Sequence, residues 1–191
     1  METFEAILNR RSIRKMKSDP IDDKMVEKIL EAARWAPSWA NTQCWRLVVV
    51  HDKDIKKQLS DTMFRFQRPD GDAPNPTAQA VNDAPLLIVV CAELNRSGCR
   101  PGGEPSTDKG GNWYMFDTAL AMQNLVLEAH ALGLGTVIIG AFDAKKAGEI
   151  LEVPEGFCVV AMTPLGYPDQ EPRTVPRKEL SEIVFHDKFG T

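Results

Sequence analysis

A chain of 191 residues with 43% apolar side chains suits a single domain or one subunit of an interlocked oligomer. Its formal net charge of -4 speaks against a nucleic-acid binder, although a local anion site is compatible with an acidic whole. No apolar run reaches the length of a membrane span, the first residues include Glu2 and Glu5 rather than a signal-peptide pattern, and Cys44, Cys91, Cys99 and Cys158 form no C-x-x-C pair. No membrane partner, nucleic-acid partner or metal site is therefore expected, and reduced core cysteines in a cytoplasmic protein fit this usage.

Phe4, Ile7 and Leu8 have helical spacing, with Thr3 as the expected cap. They lead into Arg10-Arg11-Ser12-Ile13-Arg14. In an extended backbone Arg10, Ser12 and Arg14 share one face and Arg11 takes the other. Like charges this close repel, and a guanidinium fork matches a phosphate oxygen pair, so the stretch is a candidate anion site. A solvated basic turn remains the other reading at this point. Asp22 is the expected N-cap of the next helix, Ile21 and Val26 its hydrophobic staple, and Met25, Val26, Ile29, Leu30 and Ala33 its apolar face. Pro37 ends it.

The loop over residues 36–45 mixes Trp39 and Trp45 with Ser38, Asn41, Thr42 and Gln43. Rings beside amides and hydroxyls suit a planar heteroaromatic ligand, and equally suit a capped helix end with buried tryptophans. Residues 46–51 read as a buried strand with His51 at the surface, and residues 54–59 as a short helix. Residues 64–85 read as irregular because Pro69, Gly71, Pro74 and Pro76 break any long element. Residues 86–92 form a second buried strand, and residues 93–111 a long loop. A helix over residues 113–132 is apolar on most faces, which favours a subunit interface. His130 sits near its C-terminus, and Gly133 and Gly135 stop it. A third strand is expected over 136–141, an N-cap at Asp143, a short helix to about Leu151, a fourth strand over 157–165, and an extended segment over 169–176.

Four separated stretches fit together: residues 10–14; residues 37–43 with Trp45; Ile139-Gly140-Ala141-Phe142; and Gly166-Tyr167-Pro168 with Arg177. In this order and spacing the chain resembles the FMN-dependent nitroreductase family in its shorter form. Strand–helix alternation by itself points to a parallel doubly wound sheet. The resemblance implies instead an α+β fold, a three-layer α/β/α arrangement with a mostly antiparallel central sheet. It also implies one domain over 1–191 in an intertwined homodimer, with a tail from about 170 to 191 embracing the partner.

By the same resemblance Arg10, Ser12 and Arg14 meet the FMN phosphate, ribityl chain and ring edge, Arg11 belongs to the stretch, and Arg177 shares the phosphate with Arg10. Pro37, Ser38, Asn41 and more weakly Gln43 reach the flavin from the other subunit. Backbone N–H groups near Ile139 and Gly140 face the flavin N5. Trp39, Phe66, Gln67, Trp113 and Phe142 are further pocket-lining candidates. Cys44 replaces a proline frequent in the family, and Ile139 stands where longer relatives carry Glu. The implied activity is NAD(P)H-dependent reduction of a nitroaromatic, quinone or similar small acceptor by a ping-pong route, with no catalytic side chain. An FMN-storing protein without turnover is the alternative, and a dimeric module without flavin a third.

Overall fold

In the computed structural model the chain runs α1 (Thr3–Asn9), α2 (Asp23–Arg34), β1 (Trp45–Val50), α3 (Lys53–Asp61), β2 (Phe66–Arg68), β3 (Gly71–Ala73), α4 (Ala78–Asp83), β4 (Leu86–Glu93), α5 (Trp113–Ala131), β5 (Gly135–Thr136), α6 (Ala144–Ile150) and β6 (Phe157–Gly166). Asp70, in the stretch expected to be irregular, and Arg173 and Thr191, in the expected tail, lie outside the described residues.

Short polar side chains set the helix starts. The Asp22 carboxylate accepts the Lys24 N–H at the head of α2, and Asp143 accepts the Lys146 N–H at the head of α6. Ile21 and Val26 share one core cluster, as a staple requires. For α1 the N-cap is Glu2 rather than Thr3, and no side chain caps it. Asp52 caps α3, accepting from Asp54 and Ile55.

The sheet order is β1-β4-β6-β5, and every pairing is antiparallel. Alternation along β4 divides the core in two. Leu86, Ile88 and Val90 pack with Ile29 of α2 and Leu125 and Val126 of α5; Leu87, Val89 and Cys91 pack with Leu59 of α3 and Ala147 of α6. The sheet thus has helices on both faces. Its central strands read as continuous apolar runs for that reason, as those of a parallel sheet also do, so neither these runs nor strand–helix alternation in chain order separates the two arrangements. Burying a side chain such as Ile88 contributes about 1.5–3 kcal/mol, and Ile88→Ala would cost about 2–5 kcal/mol. The register between β4 and β6 shifts at Val90 and Cys91, which face Ala161 and Val159. Val160 is the extra residue, and it lets Val159 face one cluster and Ala161 the other.

Two expected elements differ and one agrees. The third strand shrinks to two residues; beyond Thr136 the chain touches the sheet again only through an Ile139–Met162 bridge. The stretch over 64–85 holds the β2–β3 hairpin and α4, because its prolines sit outside these short elements rather than within them. The helix expected over 113–132 is α5, with Gly133 just beyond it at φ 80°.

Beyond β5 the sheet is extended by the arginine segment. Ser12 bridges Thr136 in parallel, Ile13 N–H donates to the Thr136 carbonyl at 2.9 Å, and Lys17 N–H donates to the Tyr167 carbonyl at 2.9 Å. The approach is close. A Cβ on Gly135 would lie 2.9 Å from Cβ of Ile13, and one on Gly166 3.2 Å from Cβ of Met16.

Candidate functional site

The backbone pairing just described holds residues 12–17 extended, with Ile13 and Met16 buried and the polar side chains turned outward. Arg10, Arg11, Ser12, Arg14 and Lys15 then line a cavity of about 850 Å³ with Asp169, Gln170, Glu171, Val175 and Arg177. Arg177 meets the arginine segment here although 163 residues separate it from Arg14 (177 − 14). The chain returns because Asp169 N–H donates to the Lys15 carbonyl at 3.0 Å and Gln170 Oε1 accepts the Arg14 N–H at 3.1 Å.

The electrostatics of this cavity are unfavourable to the chain alone. Burial, then Arg11, then Arg177 push the Arg10 pKa down. Among the described residues none of the ion pairs includes Arg10, Arg11, Arg14 or Arg177, even though Asp169 and Glu171 share the lining. Arg11 is occupied with the Leu8 and Arg10 carbonyls. Burial and the charges of Arg10 and Arg11 also push the His130 pKa down, and the buried Nε2 of His130 has no hydrogen-bond partner among the described residues. An anion in this cavity would offset the crowded positive charge, and the size suits a cofactor-sized ligand.

Pro37, Ser38, Asn41 and Gln43 do not line this cavity. They sit on a separate loop around the 3-10 turn Trp39–Asn41, where Ala40, Asn41 and Gln43 have φ of 43°, 55° and 47°. A left-handed backbone costs roughly 1–2 kcal/mol per non-glycine residue, so this loop is held rather than relaxed. Within it, Ser38 Oγ accepts the Gln43 N–H at 2.9 Å and Asn41 Oδ1 accepts from Gln43 Nε2 at 3.2 Å. Trp39 meets Trp113 edge to face at 5.1 Å. Cys44 is fully buried behind the loop, and burial together with the nearby Asp117 charge pushes its thiol up to about 12, so it is no nucleophile.

Ile139 and Gly140 lie on the segment crossing from β5 to α6. The Ile139 N–H is committed to the Met162 carbonyl at 2.8 Å, whereas the Gly140 N–H makes no hydrogen bond among the described residues. Gly140 is exposed and a Cβ there would meet nothing, so a ligand has room beside its amide. Among the further candidates, Phe66 is exposed on the hairpin, while Phe142 is buried against Met63 in the core and lines no surface. Sequence reasoning missed Gln170 and Asp117. Asp117 had left one signal, an isolated carboxylate in an apolar helix.

An antiparallel sheet between two helical layers, with a crowded guanidinium pocket at its edge and a strained polar loop apart from it, defines a class of α+β ligand-binding domains. The chain belongs to the nitroreductase family, whose model matches residues 7–167. It is 30% identical over 207 residues to an NADH dehydrogenase of Thermus thermophilus, with 96% of this chain and 95% of that one covered. A nitroreductase family protein from Clostridium novyi superposes with a TM-score of 0.73 at 32% identity, covering 100% of this chain and 96% of that one. The NADPH:FMN oxidoreductase of Vibrio harveyi, solved with NAD+, superposes with a TM-score of 0.81 at 28% identity, covering 99% of this chain and 78% of that one.

Proposed function

We propose that this chain is an FMN-dependent oxidoreductase that takes reducing equivalents from NADH or NADPH and delivers them to a small acceptor such as a nitroaromatic or a quinone. The observation that carries the reading is the cavity where Arg10, Arg14 and Arg177 crowd together without carboxylate partners. That donor set fits a phosphate monoester, and FMN joins such a group to a redox ring. When bound, the flavin supplies the chemistry of hydride acceptance and release.

The residues divide that work. Arg10 and Arg177 hold the phosphate, with Arg11 beside them in the same lining. Ser12, and Gln170 beside Arg14, provide polar groups for the ribityl chain. Arg14 places positive charge at the ring edge, where it stabilises negative charge that develops during reduction. The free Gly140 N–H is the donor available to a ring nitrogen. None of these groups passes a proton to substrate, so no side chain is assigned as an acid or base. Donor and acceptor must each approach the ring to about 3–3.5 Å, so sharing one face makes the kinetics ping-pong.

The site is completed by a second copy of the chain. Pro37, Ser38, Asn41 and Gln43 lie outside the phosphate cavity and reach a ring bound against the partner. Exposed apolar side chains support this assembly. Phe4, Ile7 and Leu8 lie on α1, Met115 and Phe116 on α5, and the tail carries Leu180, Ile183 and Phe189, the last 92% exposed. An obligate interface is large and apolar. The tail from about residue 170, within the single domain, wraps that partner.

The deciding experiment is anaerobic mixing of the purified yellow protein with NADH or NADPH. Rapid bleaching of a flavin that denaturation releases as FMN is expected. Bleaching slower than any turnover would leave a flavin-storing protein, and a colourless chain indifferent to added FMN would end the flavin reading.

A further inference from the structure

Among the described residues, Asp117 is the one carboxylate that the fold takes out of water without a cation. It is 1% exposed on α5, and none of the ion pairs among the described residues includes it. Its carboxylate accepts the Trp39 N–H at 3.1 and 3.2 Å, the Ser97 hydroxyl at 2.6 Å and the Cys44 thiol at 3.8 Å. These donors come from three separate segments: the 3-10 turn, the loop after β4, and the residue that leads into β1. A carboxylate is costly to bury, and it persists where several donors are satisfied together.

The Trp39 contact is the important one. Trp39 opens the turn in which Ala40, Asn41 and Gln43 are left-handed. Backbone conformations of this kind persist only where the surroundings over-determine them. The turn's own bonds, from Asn41 N–H to the Ser38 carbonyl and from Thr42 N–H to the Trp39 carbonyl, fix its shape but not its direction. Asp117 ties its first residue to α5. The Ser97 side is equally fixed, because Gly98 packs so closely on α5 that a Cβ there would lie 2.5 Å from Cβ of Trp113.

We propose that Asp117 is a positioning residue for the ring end of the flavin site: it orients the turn that presents Ser38, Asn41 and Gln43, and takes no part at the phosphate end. The inference rests on the flavin reading above. It separates two ligands that differ by one group. Riboflavin shares the ring and ribityl chain of FMN and lacks the phosphate. Loss of Asp117 is felt by both, and loss of Arg177 by FMN alone.

The test uses the full-length chain, freed of flavin by dialysis, titrated with FMN and with riboflavin by flavin fluorescence and visible circular dichroism. In Asp117→Asn the amide offers one acceptor oxygen to three donors. Affinity for both ligands is expected to fall by the same factor, roughly tenfold, with a changed visible dichroism of the bound ring. Ser97→Ala keeps the carboxylate and two of its donors, and is expected to give the same pattern at a smaller factor; it decides the matter if Asp117→Asn does not fold. Unchanged riboflavin affinity and dichroism in the folded variants, or a loss confined to FMN, overturns the proposal while leaving the flavin reading intact. A wild-type chain that binds neither ligand overturns both.

Discussion

The arginine segment and the turn after α2 hold their polar side chains by opposite means. Residues 12–17 are extended, paired to β5 and to the end of β6 by ordinary backbone hydrogen bonds, and crowded with like charge. The turn at residues 39–43 carries almost no charge and is held in a disfavoured backbone conformation. In the first region the backbone is relaxed and the side chains are frustrated. In the second the backbone is frustrated; Asn41 and Gln43 bond each other, while the buried Thr42 Oγ1 has no partner among the described residues. On the proposed flavin reading, a ligand with an anionic end and a planar end would relieve the first and be oriented by the second. Each region therefore fails in its own way when altered.

The largest expected effect belongs to the charged region. Arg177→Ala removes a charge-assisted hydrogen bond of about 1.5–3 kcal/mol, so FMN affinity should fall roughly tenfold to a hundredfold. Riboflavin affinity should not change. Equal loss for both ligands, read by fluorescence titration, would remove Arg177 from the phosphate end.

A smaller effect belongs to the strained turn. Ala40→Gly replaces a side chain held at φ 43°. Glycine accepts that conformation, although it gives back part of the gain through a freer unfolded chain. The net should be about 0.5–1 kcal/mol of stabilisation, or roughly 1–4 °C in Tm by calorimetry of the flavin-free protein. A fall in Tm would show that the turn is not under strain and would dissolve the contrast drawn above.

The smallest effect sharpens the charged side. The His130 pKa is lowered by burial and by Arg10 and Arg11. Between that lowered value and the ordinary value near 6.5, the unfolded chain binds a proton that the folded chain refuses. Stability contributed by neutral His130 is thus complete above about pH 6.5 and falls as pH drops through that window. An anion on the arginines weakens the opposing field and raises the His130 pKa, so inorganic phosphate should flatten the fall. Tm measured between about pH 7.5 and 5.5 should show a drop from this residue, reduced by phosphate and absent in His130→Gln. A slope identical in wild type and variant would detach His130 from the pocket.

The legible part of the molecule was the part written in local chemistry. Asp22 and Asp143 announced helix starts, and α5 announced itself by its unbroken apolar length. Strand direction was legible only through the family resemblance, because β4 is apolar on both faces whether its neighbours run with it or against it. The end of the third strand was not legible either: Val137 and Ile139 look like strand residues, and both are buried, yet the chain leaves the ladder after Thr136. The meeting of Arg177 with the arginine segment was expected only through the family resemblance; the backbone bonds at Lys15 and Asp169 that bring the chain back are not encoded by side-chain identity. Asp117 was visible only as an exception. The donors that explain it, Trp39, Cys44 and Ser97, lie 20 to 78 residues away in sequence.

Gly135 gives the pocket a depth gauge. With only a hydrogen there, Ile13 rests against the backbone, and the two arginines nearest it in sequence, Arg11 and Arg14, stand at a height fixed by that contact. An alanine methyl 2.9 Å from Cβ and Cγ2 of Ile13 would lift the segment by some tenths of an ångström without removing any charge. If the cavity holds the proposed phosphate, its retention time is adjustable from behind the cavity wall. Gly135→Ala should then shorten it while every guanidinium remains in place, which makes the least chemically endowed residue of the neighbourhood a natural setting for how firmly the proposed cofactor is kept.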